Sequence, residues 1–379
     1  MTKLDEIIHA EIRAGGPMRF DRFMELALYC PGHGYYAKAD GPSPIGRSGD
    51  FYTSVSVGPL FGRLLAAQFF QMWQKLGCPK PFWIMEQGAH DGQLAVDILE
   101  WCRAEMPEFF AALRYAIVQH AGAANIHQKC APEGEMIAEM TWFESLADLA
   151  AEKPVGVFFS NELVDAFPVR SISYRSGQWL EQYVTIDGEG LDWTERPIED
   201  KELLEAIATL PLPPLEGYTT EINLAARRWI NEVGRALARG YVLTIDYGYP
   251  ASIYYAPFRV GGTLTAFVKH QANDDVLVEP GRRDLTAHVD FTTLARLGEN
   301  AGLTTLGFID QQRFLMGVAH QELSGGDGPK VKIQENLRAW NTLTHPEHLG
   351  ATFHALLQAK DAPAELDGLR FARSGGLED

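Results

Sequence analysis

The sequence predicts an α/β protein built on a Rossmann-like, doubly wound parallel sheet. Short, continuous apolar segments at 82 to 86, 115 to 118, 155 to 160 and 241 to 248 alternate with helical patterns. Such segments are typical of parallel strands that are buried on both faces by helices. A Gly-bearing turn joins the first segment to a helix at 93 to 103, which is the order of a nucleotide-binding unit.

Composition and charge exclude several classes of protein. The 379 residues carry a net charge of −17 and show no basic run, which disfavours nucleic-acid binding and favours cationic partners. The four cysteines are scattered, which fits a reducing compartment. We find no signal peptide and no apolar stretch of about 18 residues, so we expect a cytoplasmic protein without membrane insertion.

The chain divides into four parts by its changing periodicity. Helical spacing and a long Gly- and Pro-rich loop mark the start, alternation with period two marks an antiparallel insertion, and a helical pattern marks the end. The predicted parts are an N-terminal helical and loop segment (1–80), the core (81–168 and 240–325), an inserted β/α subdomain (169–239) and a C-terminal helical tail (326–379).

The Gly-bearing turn is the candidate cofactor loop. Glu86 ends the strand, Gly88 and Gly92 permit a tight turn and a close approach of backbone to ligand, and His90 lies between them. Gln119 ends the next strand, where a carboxylate commonly binds ribose hydroxyls. An ordinary βα connection and a simple polar strand end are the alternatives for these two places.

The segment S-N-E-L-V-D-A-F-P-V (160 to 169) follows another core strand. Ligands of open α/β sheets bind at such carboxyl ends. If Glu162 begins a helical turn, Asp165 lies on the same face three residues later, and Asn161 precedes both. Two acids then converge over the cleft. The alternative is an ordinary helix start with Asn161 as its cap.

Three further places carry polar residues with less defined roles. Asp50, in a Gly-Asp-Phe turn, is a candidate lid acid, and Asp246 and Tyr247 either face the cleft or cap the following turn. His345 and His348 have metal-like spacing, but no acidic or Cys ligands accompany them. We therefore expect no metal.

Seven short motifs follow one another along the chain. They are L-Y-C-P-G-H-G-Y-Y (28 to 36), I-G-R-S-G-D-F-Y-T-S (45 to 54), P-L-F-G (59 to 62), N-E-L-V-D-A-F-P-V (161 to 169), I-D-Y-G (245 to 248), G-G-T-L (261 to 264) and D-L-T-A-H-V-D-F (284 to 291). This series resembles the MidA-like family of protein arginine methyltransferases, and the resemblance covers roughly residues 4 to 318. It implies a seven-stranded methyltransferase fold with S-adenosylmethionine as cofactor, and an arginine of a respiratory complex I subunit as acceptor, with a role in assembly of that complex.

Three positions depart from the family pattern. His90 replaces the middle Gly of E-x-G-x-G-x-G, Gln119 replaces the acid after the second strand, and Val55 and Ser56 replace Pro-Glu. We expect His90 to crowd the methionine part of the cofactor. We expect Gln119 to weaken ribose binding by about 1 to 3 kcal/mol, because a charged hydrogen bond is lost.

These observations predict a methyltransferase in which Glu162 and Asp165 grip a guanidinium, with Asp50 as lid support. Paired carboxylates hold the cation in place and leave one nitrogen more nucleophilic. The alternatives are a non-catalytic assembly protein with a decayed cofactor site, a methyltransferase for a small-molecule acceptor, and a nicotinamide-dependent oxidoreductase.

Overall fold

A central, mostly parallel sheet organises the protein. The structure, a computed structural model, describes residues 2–37, 53–119, 140–268, 271–273, 275–325, 329–373 and 376–377. Within them, one strand is antiparallel to both of its neighbours and the rest of the strand path is parallel. In spatial order the path is Thr304–Asp310, Phe353–Lys360, Arg239–Tyr249, Val155–Asn161, Phe82–Gln87, Leu113–Val118 and Met140–Phe143, and Val289–Asp290 pairs beside Arg239–Tyr249.

Helices cover both faces of this sheet, which confirms the predicted doubly wound α/β core. One face packs against Leu64, Ile98 and Phe314, and the other against Ile230 and Leu294. The helices are Lys3–Gly15, Phe20–Tyr29, Leu60–Lys75, Gln93–Glu105, Pro107–Phe110, Leu146–Ala151, Lys201–Ile207, Leu224–Ala236, Ala251–Tyr254, Phe291–Asn300, Gln311–Val318, His320–Leu323 and Leu337–Thr344.

Two smaller sheets lie outside the core. The larger one contains the predicted antiparallel insertion, and the smaller one follows the loop after Tyr249. The larger sheet consists of Met18–Arg19, Arg170–Arg175, Gln178–Asp187, Gly190–Pro197 and Thr219–Ile222. The smaller sheet consists of Thr265–Val268, Gln271–Asn273 and Asp284–Thr286.

The prediction of a purely helical tail after residue 325 is wrong. Phe353–Lys360 is a strand in the middle of the central sheet, antiparallel to Arg239–Tyr249 and to Thr304–Asp310. A short apolar run such as 355 to 357 fits a buried strand as well as a helix, and its pairing partners decide between them. The tail therefore completes the core.

The apolar spacing of 221 to 238 predicts one long helix, but the helix in the structure is shorter. Thr219–Ile222 is a strand, and the helix begins at Leu224 because the Asn223 side chain accepts a hydrogen bond from the amide of Ala226. The segment 123 to 131, for which the sequence pattern also predicts a helix, lies outside the described residues.

The described ranges contain neither a membrane-spanning helix nor a cluster of metal ligands. No helix there has the length and apolar character needed to cross a bilayer. No group of three or more His, Cys, Asp or Glu side chains in the described part of the chain is placed to hold a metal ion.

Candidate active site

The loop between Phe82–Gln87 and Gln93–Glu105 has the backbone conformation of a ligand-binding turn. Gly88 and Gly92 have φ values of +87° and +78°, in the left-handed region that favours glycine. A Cβ atom at Gly88 would lie 3.1 Å from Cδ1 of Leu163, so this glycine also permits close packing on the loop after Val155–Asn161. The two predicted sites are therefore adjacent.

His90 takes a left-handed backbone conformation, which glycine adopts more readily than other residues. Its φ is +46°, and its Nδ1 lies 3.7 Å from Oδ1 of Asp91. A hydrogen bond from His90 lowers the pKa of Asp91, and burial opposes this effect. The imidazole thus lies beside an acid of its own loop, and crowding of the cofactor by His90 stays a prediction.

Glu86 and Gln119 end the first two strands of the core. The Glu86 carboxylate is buried and accepts a 2.5 Å hydrogen bond from the Tyr115 hydroxyl. Burial raises the pKa of Glu86 to about 7, although this hydrogen bond opposes the rise. The backbone N–H of Gln119 donates to the carbonyl oxygen of Phe143 at 2.9 Å, which places Gln119 at the carboxyl end of its strand, as predicted.

The helical turn predicted after Asn161 is not formed. Glu162 has a φ of +53°, in the left-handed region, and its N–H donates to the carbonyl oxygen of Ile245. No helix is assigned over 162 to 168. The Asn161 amide does not cap a helix but donates to Oε1 of Glu162 at 3.0 Å.

Asp246 explains why this loop does not become helical. Its Oδ2 accepts hydrogen bonds from the amides of Leu163, Val164 and Asp165, at 3.2, 2.8 and 3.3 Å. Its Oδ1 accepts from the amide of Tyr247 at 2.8 Å. A fully buried carboxylate thus gathers backbone donors that would otherwise be unpaired. Burial raises the pKa of Asp246 to about 7, and the amides oppose this rise.

Four carboxylates lie together here, and we name Glu162, Asp165, Asp246 and Asp284 the acid cluster. Burial raises the pKa of Asp165 well above its ordinary value, and the charges of Asp246, Asp284 and Glu162 add to the rise. Burial also raises the pKa of Glu162 to about 8; the neighbouring Asn161 amide opposes that rise and Asp246 strengthens it. Like charges that lie close together raise one another's pKa and so disfavour ionisation of all four acids at once.

Two oxygens of the site have no partner within the described residues. They are Oε2 of Glu162 and Oδ1 of Asn161, and both atoms are buried. A buried acceptor without a donor is costly to fold, so such atoms indicate a ligand that supplies N–H or O–H groups. A guanidinium offers five such donors in a planar fork.

The structure brings the predicted acids Glu162 and Asp165 into one cluster, and it adds two acids, Asp246 and Asp284, to them. The sequence leaves open whether Asp246 faces the cleft or caps a turn, and it gives no sign that Asp284 belongs to the site. The signal for Asp246 was its position at the carboxyl end of the strand next to Val155–Asn161. Asp50 lies outside the described residues.

The glycine loop fits an adenosyl cofactor. Its left-handed glycines open the backbone at the carboxyl end of Phe82–Gln87, and Oδ1 of Asn161 on the adjacent strand lacks a donor among the described residues. Glu86, Gly88, His90, Gly92, Asn161 and Gln119 are the residues that the sequence predicts to hold it. Their individual roles stay predictions.

Curated relatives extend over most of the chain. The mitochondrial protein arginine methyltransferase NDUFAF7 of Rattus norvegicus is 27% identical over 91% of this chain and 81% of its own length. The Homo sapiens protein of the same name is 26% identical over 96% of this chain and 84% of its own length. The prediction of a cytoplasmic location is contradicted by these names, because the relatives are mitochondrial proteins.

Solved structures and a family model agree with the curated relatives. A protein from Burkholderia thailandensis with bound S-adenosyl-homocysteine has a TM-score of 0.84 and 31% identity, over 98% of this chain and 95% of that chain. A native crystal structure from the same organism has a TM-score of 0.81 and 30% identity, over the same shares of the two chains. The model of an S-adenosyl-L-methionine-dependent methyltransferase family matches residues 64–309. The chain therefore belongs to this methyltransferase family, the MidA-like family that its motifs resemble, and S-adenosylmethionine is its cofactor.

Proposed function

We propose that this methyltransferase modifies an arginine side chain of a protein and that Glu162 and Asp165 of the acid cluster hold the guanidinium. The observation that carries the proposal is the buried Oε2 of Glu162, which has no hydrogen-bond partner in the described part of the chain, beside Asp165 and two further acids. Burial raises the pKa of this carboxylate, whereas the Asn161 amide and the Ser54 backbone, which contact the same carboxylate, oppose the rise. The relatives that are named protein arginine methyltransferases support the same acceptor.

The acids of the cluster have different roles in this proposal. Both oxygens of Asp246 accept backbone amides, so Asp246 braces the loop that carries the other acids. Glu162 and Asp165 grip the guanidinium, which places charge on the nitrogens that they touch and leaves another nitrogen free to react. Binding of the cation favours the ionised acids, so we expect proton release when the acceptor binds.

S-adenosylmethionine, held at the glycine loop, would supply an electrophilic methyl group on a sulfonium, whose sulfur would leave as a neutral thioether. The chain's own residues align this in-line displacement and exclude water from it. The nitrogen must also lose a proton. Glu162, whose pKa is raised to about 8, is the proposed proton acceptor.

The finer identity of the acceptor is also a proposal. The family resemblance suggests an arginine of a respiratory complex I subunit, and a cationic partner suits a chain of net charge −17. A small-molecule amine or hydroxyl is the second candidate. It remains because the site residues differ from the family pattern at His90 and Gln119.

The proposal is tested by separating cofactor binding from methyl transfer. Calorimetry on the wild type, Glu162→Gln and Asp165→Asn should give similar affinities for S-adenosylmethionine. Transfer of labelled methyl groups to lysate from cells that lack the gene should fall by orders of magnitude in both variants, because charge placement is lost. Mass spectrometry should locate the label on arginine.

Glu221→Gln is the matched control for these variants. Glu221 is 1% exposed and accepts hydrogen bonds from Thr263 and Tyr254, but it lies outside the acid cluster. Its replacement should leave transfer close to that of the wild type. Near-normal transfer by Glu162→Gln and Asp165→Asn would refute the grip, and label found only in small molecules would favour the second candidate.

A further inference from the structure

Residues 20 to 36, which we name the N-terminal wall, pack beside the acid cluster. After the helix Phe20–Tyr29 the chain folds back, and the amides of Tyr35 and Tyr36 donate to the carbonyl oxygens of Ala27 and Leu28 at 2.9 Å each. A Cβ atom at Gly34 would lie 2.5 Å from the backbone nitrogen of Cys30, so only glycine fits this tight return. The position of Tyr36 is therefore fixed by the backbone that precedes it.

Two tyrosines of this wall bond to the elements that carry the acids. The Tyr36 hydroxyl donates to Oδ1 of Asp284 at 2.8 Å. The Tyr29 hydroxyl donates to the carbonyl oxygen of Ala166, next to Asp165, at 2.9 Å. The two rings stack with centroids 5.8 Å apart and an interplanar angle of 24°. One aromatic pair thus bridges the loop after Val155–Asn161 and the strand Asp284–Thr286.

Asp284 is a buried acid that the proposed grip does not use. It is 2% exposed and lies opposite Phe267 in the small sheet. Its negative charge contributes to the raised pKa of ionisable side chains on four separate elements. The ionisable groups that face it are Tyr29, Tyr36, Glu162, Asp165 and Tyr247.

We propose that Asp284 is a third acid of the acceptor site and that Tyr36 is the positioning residue that holds its carboxylate toward Glu162 and Asp165. This inference rests on the proposed function, since it assigns one more recognition group to the same cationic acceptor. A phenol that donates to a carboxylate favours the charged form of that carboxylate. The N-terminal wall then determines specificity for a cation, in addition to its packing role.

Tyr36→Phe is the main test because it keeps the ring and removes only the donor. We expect the acceptor KM to rise about tenfold, a typical effect of one lost hydrogen bond to a charged group. Affinity for S-adenosylmethionine should not change. The acidic limb of the pH–rate profile should move to higher pH, because Asp284 without its donor takes up a proton more readily.

Tyr254→Phe is the control, since it removes a phenol that donates to a different buried carboxylate, Glu221, at 3.3 Å. Its KM and pH profile should match those of the wild type. Asp284→Asn is a second variant; it keeps an acceptor for Tyr36 and should raise the acceptor KM at least as much as Tyr36→Phe does. Thermal melts of all three variants report whether each one folds.

The outcomes distinguish this inference from the proposed function. If Glu162→Gln loses transfer while Tyr36→Phe and Asp284→Asn behave like Tyr254→Phe, the third acid is refuted and the grip stands. If Tyr36→Phe lowers the melting temperature and kcat while its KM and pH profile stay at wild-type values, Tyr36 is structural only, and the inference fails. Normal transfer by Glu162→Gln overturns the proposed function itself.

Discussion

The carboxylate of Asp246 accepts a hydrogen bond from the backbone amide of Val164 at 2.8 Å, although 82 positions separate the two residues. Val164 lies in the loop after the strand Val155–Asn161, and Asp246 lies near the end of Arg239–Tyr249, its parallel neighbour in the central sheet. The bond therefore joins two adjacent carboxyl ends, where open α/β sheets bind their ligands. It shapes the loop in which Glu162 and Asp165 turn toward the cluster.

Asp246→Asn should destabilise the protein and abolish transfer. Both carboxylate oxygens of Asp246 accept hydrogen bonds from backbone N–H groups. In asparagine an NH2 group replaces one of these oxygens and faces a backbone N–H, so at least one backbone donor loses its acceptor. Leaving buried donors unpaired costs about 1 to 3 kcal/mol each, so the free energy of unfolding should fall by at least that much. Chemical denaturation followed by fluorescence measures the change.

Asp290→Asn is the control for this variant. Asp290 caps the helix Phe291–Asn300 through the amide of Thr293, and asparagine is also a good cap. Its replacement should leave transfer intact. Equal stability of Asp246→Asn and the wild type would contradict the bracing role.

Glu162→Gln should make stability less dependent on pH. Burial raises the pKa of Glu162 to about 8 in the folded state, above the ordinary value of 4.5. The folded protein therefore binds more protons than the unfolded chain between about pH 4.5 and pH 8, so this group lowers the free energy of unfolding as pH rises through that window. Glutamine does not titrate, so the variant should lose less stability than the wild type does between pH 5 and pH 8.5.

The expected relative gain is about 1 to 2 kcal/mol, less than the full pKa shift would give, because the side chain is only partly buried. Denaturant titrations at both pH values measure it. The control is Glu189→Gln, in an exposed turn. If Glu162→Gln and Glu189→Gln change stability equally at the two pH values, the carboxyl does not hold its proton in the folded state.

Gly88→Ala should impair both the cofactor loop and the loop that carries the acids. Alanine is strained at a φ of +87°, and its Cβ would lie 3.1 Å from Leu163. Gly177→Ala imposes the same kind of strain, at +83°, in open space. Both should lose about 1 kcal/mol of stability. Only Gly88→Ala should weaken binding of S-adenosylmethionine, which calorimetry measures. Equal affinities of the two variants would show that Gly88 is not part of the cofactor site.

Local patterns predicted most of the core but could not predict its completion. The apolar runs before Gln87 and Asn161, and the glycines after the first of them, are local signals of strands and turns. The strand Phe353–Lys360 carries no such distinguishing signal, since only its partners at Arg239–Tyr249 and Thr304–Asp310 make it a strand. Context decides elements of this kind.

The candidate site was predictable only where its residues are close in sequence. Glu162 and Asp165 were paired correctly, but for a wrong reason, because the expected helical turn is replaced by a left-handed residue and the Asp246 brace. Tyr36 and Asp284 lie 248 positions apart, so only the tertiary fold brings the hydroxyl to the carboxylate. Spacing rules do not reach such pairs.

Gln119→Glu should tighten binding of S-adenosylmethionine. Gln119 ends the strand Leu113–Val118, beside Phe143 of the neighbouring strand, where a carboxylate can accept hydrogen bonds from both ribose hydroxyls. Charge-assisted hydrogen bonds are about twice as strong as neutral ones, so we expect roughly a fivefold to tenfold lower Kd. Calorimetry measures the Kd, and Gln119→Ala, which removes the acceptor, should bind more weakly than the wild type.

Because the backbone amide of Gln119 makes the bond to Phe143, both variants should keep the strand end in place. Unchanged affinity in two correctly folded variants would remove Gln119 from the cofactor site, and weaker binding by Gln119→Glu alone would mean that the position faces an acid instead of the ribose.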